Sequence, residues 1–127
     1  MLCAVILISD PDDYPIICNH LTELNDQETH PQGTVYEVGK FSENGQVWKI
    51  VIAEVKASNS DAAVETERAI ASWEPNVVLS VGTAIGLKDG VNAGDVVAES
   101  SCITTSLAKK LSPASKHDQT LVELAIV

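Results

Sequence analysis

Three short, almost wholly apolar runs constrain this 127-residue chain more than any other feature: Leu2 to Ser9, Trp48 to Ile52 and Val77 to Val81. Each is strand-length. Strands with one wet face alternate apolar and polar residues, whereas continuous apolarity marks strands buried on both faces, as in a parallel sheet. None approaches the ~20 apolar residues of a membrane-spanning helix, and no basic segment precedes the first run as in a secretory leader. The expectation is one domain, soluble and cytoplasmic.

Helix signals lie between the runs. Asp10-Pro11-Asp12-Asp13 breaks the first run and supplies N-cap residues, and Pro15 is tolerated in a first helical turn. Ile16, Ile17, Leu21 and Leu24 then predict a helix of about three turns. Asn25 to Gly33 is polar and reads as a loop. Thr34 to Phe41 and Gln46 to Val55 flank Asn44-Gly45, a pair suited to the positive φ angles of a type I′ turn, so a hairpin is predicted. Ser58-Asn59-Ser60-Asp61 caps a second helix carrying Ala63, Thr66, Ile70 and Trp73, closed by Pro75. A glycine-bearing loop from Gly82 to Gly90 follows the third run, then a short strand from Asp95 to Glu99. Ser115 and Asp118 have capping-box spacing ahead of Leu121 to Val127, a run without a polar closure. The predicted fold is an α/β domain with a mixed, mostly parallel sheet flanked by helices and an inserted antiparallel hairpin.

Charge narrows the partners. Eight basic residues stand against eighteen acidic ones, a net charge of −10. Phosphate neutralisation needs a basic surface, so nucleic acid and anionic membranes are excluded as partners. Cys3, Cys18 and Cys102 are odd in number and widely spaced, which fits a reducing compartment. His20, His30 and His117 share no metal-ligand spacing with each other or with a cysteine, so no metal site is expected. No Ser/His/Asp or Cys/His set can be assembled for nucleophilic catalysis.

Three polar groups end strands, where α/β sheets place ligands. The Gly82–Gly86 loop lets backbone approach a ligand, or is simply a tight turn; its spacing is not that of a dinucleotide or Walker loop. Asp10, Asp12 and Asp13 supply a general base or a hydroxyl acceptor, or cap the following helix, and capping alone explains their position. Ser58, Asn59 and Ser60 bond a sugar or anion at a helix N-terminus, or cap it.

Taken together, the carboxylate turn after the first strand, the Asn-Gly hairpin, and above all Pro75-Asn76-Val77-Val78-Leu79-Ser80-Val81-Gly82-Thr83-Ala84-Ile85-Gly86-Leu87 followed by Gly94-Asp95-Val96-Val97 resemble the nucleoside phosphorylase superfamily. The most similar branch is that of the methylthioadenosine/S-adenosylhomocysteine nucleosidases. The resemblance spans roughly residues 2 to 99. His30 to Tyr36 also looks like versions of this domain attached to bacterial signalling or defence proteins. The resemblance implies a purine-nucleoside pocket and cleavage of an N-glycosidic bond through an oxocarbenium-like transition state, without a cofactor. Asp13 aligns with the family glutamate that handles the attacking water. Thr83, Ala84 and Gly86 fall in the loop lining ribose and base, and Ser58 and Asn59 lie in the loop near the anion or attacking water.

The chain also departs from that pattern. Asp13 is one methylene shorter than the glutamate, a displacement of about an ångström where such shifts are costly. Ile85 replaces the first of two glycines. The "M-E-x-E" glutamate that binds the ribose hydroxyls and the "S-D" aspartate that protonates the purine have no positional match. Phosphorolysis needs arginines to clamp phosphate, and the single arginine, Arg68, is expected within a helix, away from the candidate loops. The expectation is therefore the N-terminal half of the family fold, a truncated and catalytically impaired nucleosidase-like domain. The alternative is a non-catalytic nucleoside-sensing or self-associating module. Exposed sheet edges and the open Leu121 to Val127 run predict a homodimer.

Overall fold

Strand β1 (Leu2–Ile8) runs through the middle of a seven-stranded sheet in a computed structural model that describes residues 1–56, 58–87, 89–99 and 120–126. The chain continues through α1 (Tyr14–Cys18), β2 (Thr22–Thr29), β3 (Val35–Glu43), β4 (Gln46–Glu54), α2 (Asn59–Trp73), β5 (Val77–Thr83), β6 (Val96–Glu99) and β7 (Thr120–Ile126). The sheet order is β2-β3-β4-β1-β5-β7-β6. β1 is parallel to β4 on one side and β5 on the other, and β5 is parallel to β7. The outer pairings β2–β3, β3–β4 and β6–β7 are antiparallel. The predicted mixed α/β sheet is thus observed, its parallel part being the four central strands.

The apolar runs fill both faces of that centre. On one face Val5, Leu7, Tyr36, Val51, Ala53 and Val78 pack beneath α2, which contributes Ala69, Ile70 and Trp73. On the other, Ala4, Ile8, Ile50 and Ile52 pack beneath Tyr14, Ile17 and Leu21. Val5, Val51, Ile52 and Ile8 are fully buried, as strands covered on both sides require. The Trp73 indole meets the Tyr36 ring edge-on at 5.7 Å and carries the Lys49 ammonium 4.4 Å from its ring centroid.

The predicted hairpin is present, with positive φ at both Asn44 and Gly45. The three-turn helix is not. α1 has five residues, because His20 and Leu21 bond back to the Ile17 and Cys18 carbonyls in tight i→i−3 turns that end it. Glu23 then takes φ 53° and turns the chain into β2. Leu21 and Leu24 continue the apolar spacing for a different reason: both pack over Gly39 of β3, where a side chain's Cβ would lie 3.0 Å from Leu24 Cδ1 and 3.3 Å from the Thr22 carbonyl oxygen.

The segment read as a loop from Asn25 is likewise corrected, since residues up to Thr29 belong to β2. That strand lies at the sheet edge and is held by backbone pairing to β3, so its polar composition carries no strand periodicity. Leu121 to Ile126 form a strand, β7, rather than the element a capping box would open. Ser115, Asp118, Cys102 and His117 lie outside the described residues.

β1 is fixed at its start by Asn76, whose side-chain carbonyl accepts from the Cys3 amide at 2.9 Å while its own amide donates to the Cys3 carbonyl at 2.8 Å. Asn76→Ala leaves the Cys3 N–H unpaired in a part-buried site. It is expected to cost about 1–2 kcal/mol, read as a lower urea midpoint at unchanged slope. α2 ends with Glu74 at φ 45°, ψ 52°, a left-handed position that glycine adopts without strain. Glu74→Gly is expected to raise stability by about 0.5–1 kcal/mol, seen as a higher Tm.

Candidate functional site

Parallel pairing sets the site. Ile8 of β1 lies beside Glu54 of β4 and Val81 of β5, so the chain leaves all three strands at one edge of the sheet. The Asp10–Asp13 turn, the segment after Val55 and the loop after Thr83 therefore gather there, the position at which α/β sheets bind ligands.

Two of the predicted site residues, 70 positions apart, are in contact: the Thr83 hydroxyl donates to Asp13 Oδ2 at 2.9 Å. Asp13 stands at the N-cap position of α1 without any side-chain capping bond. The capping explanation of Asp13 therefore fails, and its carboxylate faces β5 instead. Asp10 behaves as a local turn residue, its Oδ1 accepting from the Asp12 amide at 2.9 Å.

For Ser58 the capping explanation holds. Its hydroxyl oxygen accepts from the Asp61 amide at 3.1 Å, and the hydroxyl lies 2.5 Å from Asp61 Oδ2. Asn59 is the first residue of α2. Ala84, Ile85 and Gly86 follow β5 in an exposed, irregular loop, with Ile85 87% exposed. A Cβ on Gly86 would lie 2.9 Å from Val91 Cγ1, so the absence of a side chain there lets the loop fold back on itself.

Sequence reasoning missed a cavity of about 700 Å³ against the α2 face, lined by Ser9 and Pro11, the 32–35 segment, the end of β4 and one stripe of α2. Arg68 lines it from within α2, the helix in which it was expected. Its guanidinium donates to Gln32 Oε1 at 2.8 Å, Thr34 Oγ1 at 3.2 Å and Glu65 Oε1 at 3.1 Å, tying α2 to the 32–34 turn. The one legible signal was the arginine itself, a residue with donors enough to bridge two elements.

Tyr14 and Cys18 face Glu37 on the α1 side; Cys18 Sγ lies 3.8 Å from Glu37 Oε2. Burial first, then Glu37, pushes both the Tyr14 phenol and the Cys18 thiol above their ordinary values. Burial also raises Cys3 and Tyr36. These thiols stay protonated at neutral pH, which removes them as nucleophiles. Among the described residues no group of three or more His, Cys, Asp or Glu side chains forms a metal site, and no helix is long and apolar enough to cross a membrane.

A sheet with a parallel centre, covered on both faces and with polar side chains collected where its parallel strands end, defines an α/β domain of the open-sheet class. More specifically, residues 4–123 match the phosphorylase superfamily, and the chain belongs to it. No curated protein sequence matches the chain. Among solved structures it is similar to a 5′-methylthioadenosine/S-adenosylhomocysteine nucleosidase from Colwellia psychrerythraea in complex with adenine, with TM-score 0.66, 23% identity, and 78% of this chain and 38% of that chain covered. It is also similar to the S-adenosylhomocysteine nucleosidase of Streptococcus pyogenes in complex with 5-methylthiotubericidin, with TM-score 0.65, 12% identity and coverage of 76% and 39%. A futalosine hydrolase mutant from Helicobacter pylori gives TM-score 0.61, 18% identity and coverage of 79% and 43%. At these identities the likeness is one of fold, and the chain spans about two fifths of the length of these structures.

The raised thiol and phenol groups make stability pH-dependent. Unfolding returns Cys3 and Cys18 toward 9.0 and Tyr14 and Tyr36 toward 10.0, so above those values the unfolded chain binds fewer protons than the folded one. Their contribution is fully present below pH 9 and is lost as pH rises through the folded values. Urea midpoints are expected to be flat from about pH 7 to about pH 8.5 and to fall beyond about pH 9.

Proposed function

We propose that this chain carries a purine-nucleoside site at the shared end of β1 and β5. In it Asp13 handles the water that attacks an N-glycosidic bond, and the substrates are nucleosides of the methylthioadenosine or S-adenosylhomocysteine type. The observation that carries the reading is the 2.9 Å hydrogen bond from Thr83 to Asp13. It joins the residue aligned with the family's water-handling carboxylate to the first residue of the loop expected to line the ribose.

The chemistry balances simply. The bond between the ribosyl C1′ and the purine nitrogen breaks, its electron pair leaving with the base, which takes a proton from solvent. Water oxygen bonds to C1′, and Asp13 takes the proton that the water loses. Thr83, donating to Oδ2, fixes the carboxylate plane and leaves Oδ1 for that proton. The structures to which the chain is similar include one with adenine and one with 5-methylthiotubericidin, which supports a ligand of this class.

Turnover in this reading is impaired. Asp13 reaches one methylene less far than a glutamate, Ile85 puts a bulky exposed side chain into the ligand loop, and no residue here aligns with the purine-protonating aspartate.

The test is adenine release from methylthioadenosine and S-adenosylhomocysteine at high protein concentration, with and without phosphate. Slow, phosphate-independent release is expected, reduced by at least about 100-fold in Asp13→Asn and about tenfold in Thr83→Val. Nucleoside binding without release moves the assignment to a non-catalytic nucleoside sensor, a reading that the exposed Ile85 favours. Neither binding nor release at millimolar nucleoside overturns both.

A further inference from the structure

Neighbouring residues at the start of α1 reach in opposite directions across the sheet. The Asp13 carboxylate accepts from Thr83 of β5 at 2.9 Å. The Tyr14 phenol, one residue on, hydrogen-bonds Glu37 of β3. β4 and β1 lie between those two strands, so the opening of α1 is slung over three interstrand spacings, about 14 Å of sheet.

Glu37 holds the other end of the helix as well. Cys18 closes α1, and its thiol donates to Glu37 Oε2 across 3.8 Å. Tyr14 and Cys18 are four residues apart and so share one face of the helix. On the side away from α1, Gln27 stands directly opposite Glu37 in β2 and donates from Nε2 to Oε1 at 3.2 Å. One half-buried carboxylate thus gathers donors from both ends of α1 and from the edge strand.

Little else fixes α1 in place. Five residues are too few for a helix to hold its shape unaided, none of them is fully buried, and the Asp13 side chain does not cap it. Tyr14, Ile17 and Cys18 pack on Ala4, Ile8, Ile50 and Ile52. Such contacts keep the helix on the sheet, but they are non-directional and do not set its place along it. The bonds to Glu37 are directional. Asp13 moves with the helix, because its carbonyl accepts from the Ile17 amide at 3.2 Å. Burial first, and then Glu37, keeps the Tyr14 phenol a protonated donor at neutral pH.

We propose that Glu37 is a positioning residue for Asp13: through Tyr14 and Cys18 it fixes where α1, and with it the Asp13 backbone, stands over the sheet, while Thr83 orients the carboxylate. The consequence for catalysis rests on the nucleosidase reading; the positioning itself does not.

Two variants and a control separate these parts. Tyr14→Phe keeps the ring and removes its bond to Glu37; Glu37→Ala removes both anchors of α1. Gln27→Ala removes a bond to Glu37 without touching α1. The first readout is the methyl resonance of Thr83 in labelled protein, which reports the contact with Asp13 directly. Asp13→Asn is expected to shift it. Tyr14→Phe and Glu37→Ala are expected to shift it too, and in either background Asp13→Asn adds less than about half of its usual shift. Gln27→Ala leaves it in place. A merely structural Glu37 would lower Tm in all three variants and leave the Thr83 resonance unmoved. If Glu37→Ala does not fold, Tyr14→Phe carries the test alone.

The second readout is adenine release. Tyr14→Phe is expected to lower kcat about tenfold and to keep KM within about twofold, since a misplaced water is felt in the transition state and not in nucleoside binding. A Thr83 resonance unmoved by Tyr14→Phe, or by Asp13→Asn, overturns the proposal whatever the activity. A shifted resonance in a protein that releases no adenine upholds the positioning and sinks only the nucleosidase reading. Release with kcat unchanged in Tyr14→Phe overturns the catalytic consequence.

Discussion

Everything else in this molecule hangs on β1 being hydrogen-bonded in parallel on both sides. With Ala4 beside both Ile50 and Val77, and Ile8 beside Glu54 and Val81, three strands are locked into one register and end together. The chain comes back to the start of β4 through antiparallel β3 and its Asn44-Gly45 turn, and to the start of β5 over one face through α2. The segments leaving β1, β4 and β5 therefore meet at one edge although they lie far apart in sequence. The Asn76 clamp on Cys3 extends that register to the beginning of β1, opposite the site. It acts on the site through alignment of the ladder rather than by contact.

The same register divides the site edge into two surfaces. Side chains alternate across a strand, so Ser9 and Thr83 leave the sheet on opposite sides although their strands are adjacent. Asp13 and Thr83 gather above α1, while Ser9 joins Lys56, Asp61 and Arg68 beside α2. The Ser9–Asp13 turn crosses between the two. The geometry of that turn is fixed by Asp10, which accepts from the Asp12 amide through its side chain and from the Asp13 amide through its carbonyl at 3.1 Å.

Much of this was legible because burial on both faces leaves a signature no other environment leaves. Ala4 to Ile8 and Ile50 to Ala53 are apolar without alternation, Val77 to Val81 is so but for Ser80, and they are central strands. Asn44-Gly45 was legible for a local reason, the positive φ that each residue tolerates. What escaped is where tertiary contact decides. Leu21 and Leu24 keep helical spacing but serve Gly39 across a turn, so periodicity alone reported a longer helix than the five residues formed. β2 is an exposed, polar edge strand, and backbone pairing writes no pattern into side chains. Asp13 was most simply explained as a cap, because its partner Thr83 comes 70 residues later and only the fold brings them together.

The Asp13–Thr83 bond itself has a geometric consequence. A carboxylate held by a hydroxyl has a fixed plane, so a water or ribose hydroxyl approaching Oδ1 meets an oriented acceptor without the entropy cost of ordering a free side chain. With an aspartate the orientation comes at close range to the sheet, since the shorter side chain draws Oδ2 to Thr83 at 2.9 Å and holds the whole carboxylate near β5. A ligand must then come down toward the sheet, past an Ile85 that is 87% exposed, to share that acceptor. The carboxylate is thus oriented by β5 rather than by the helix that it opens.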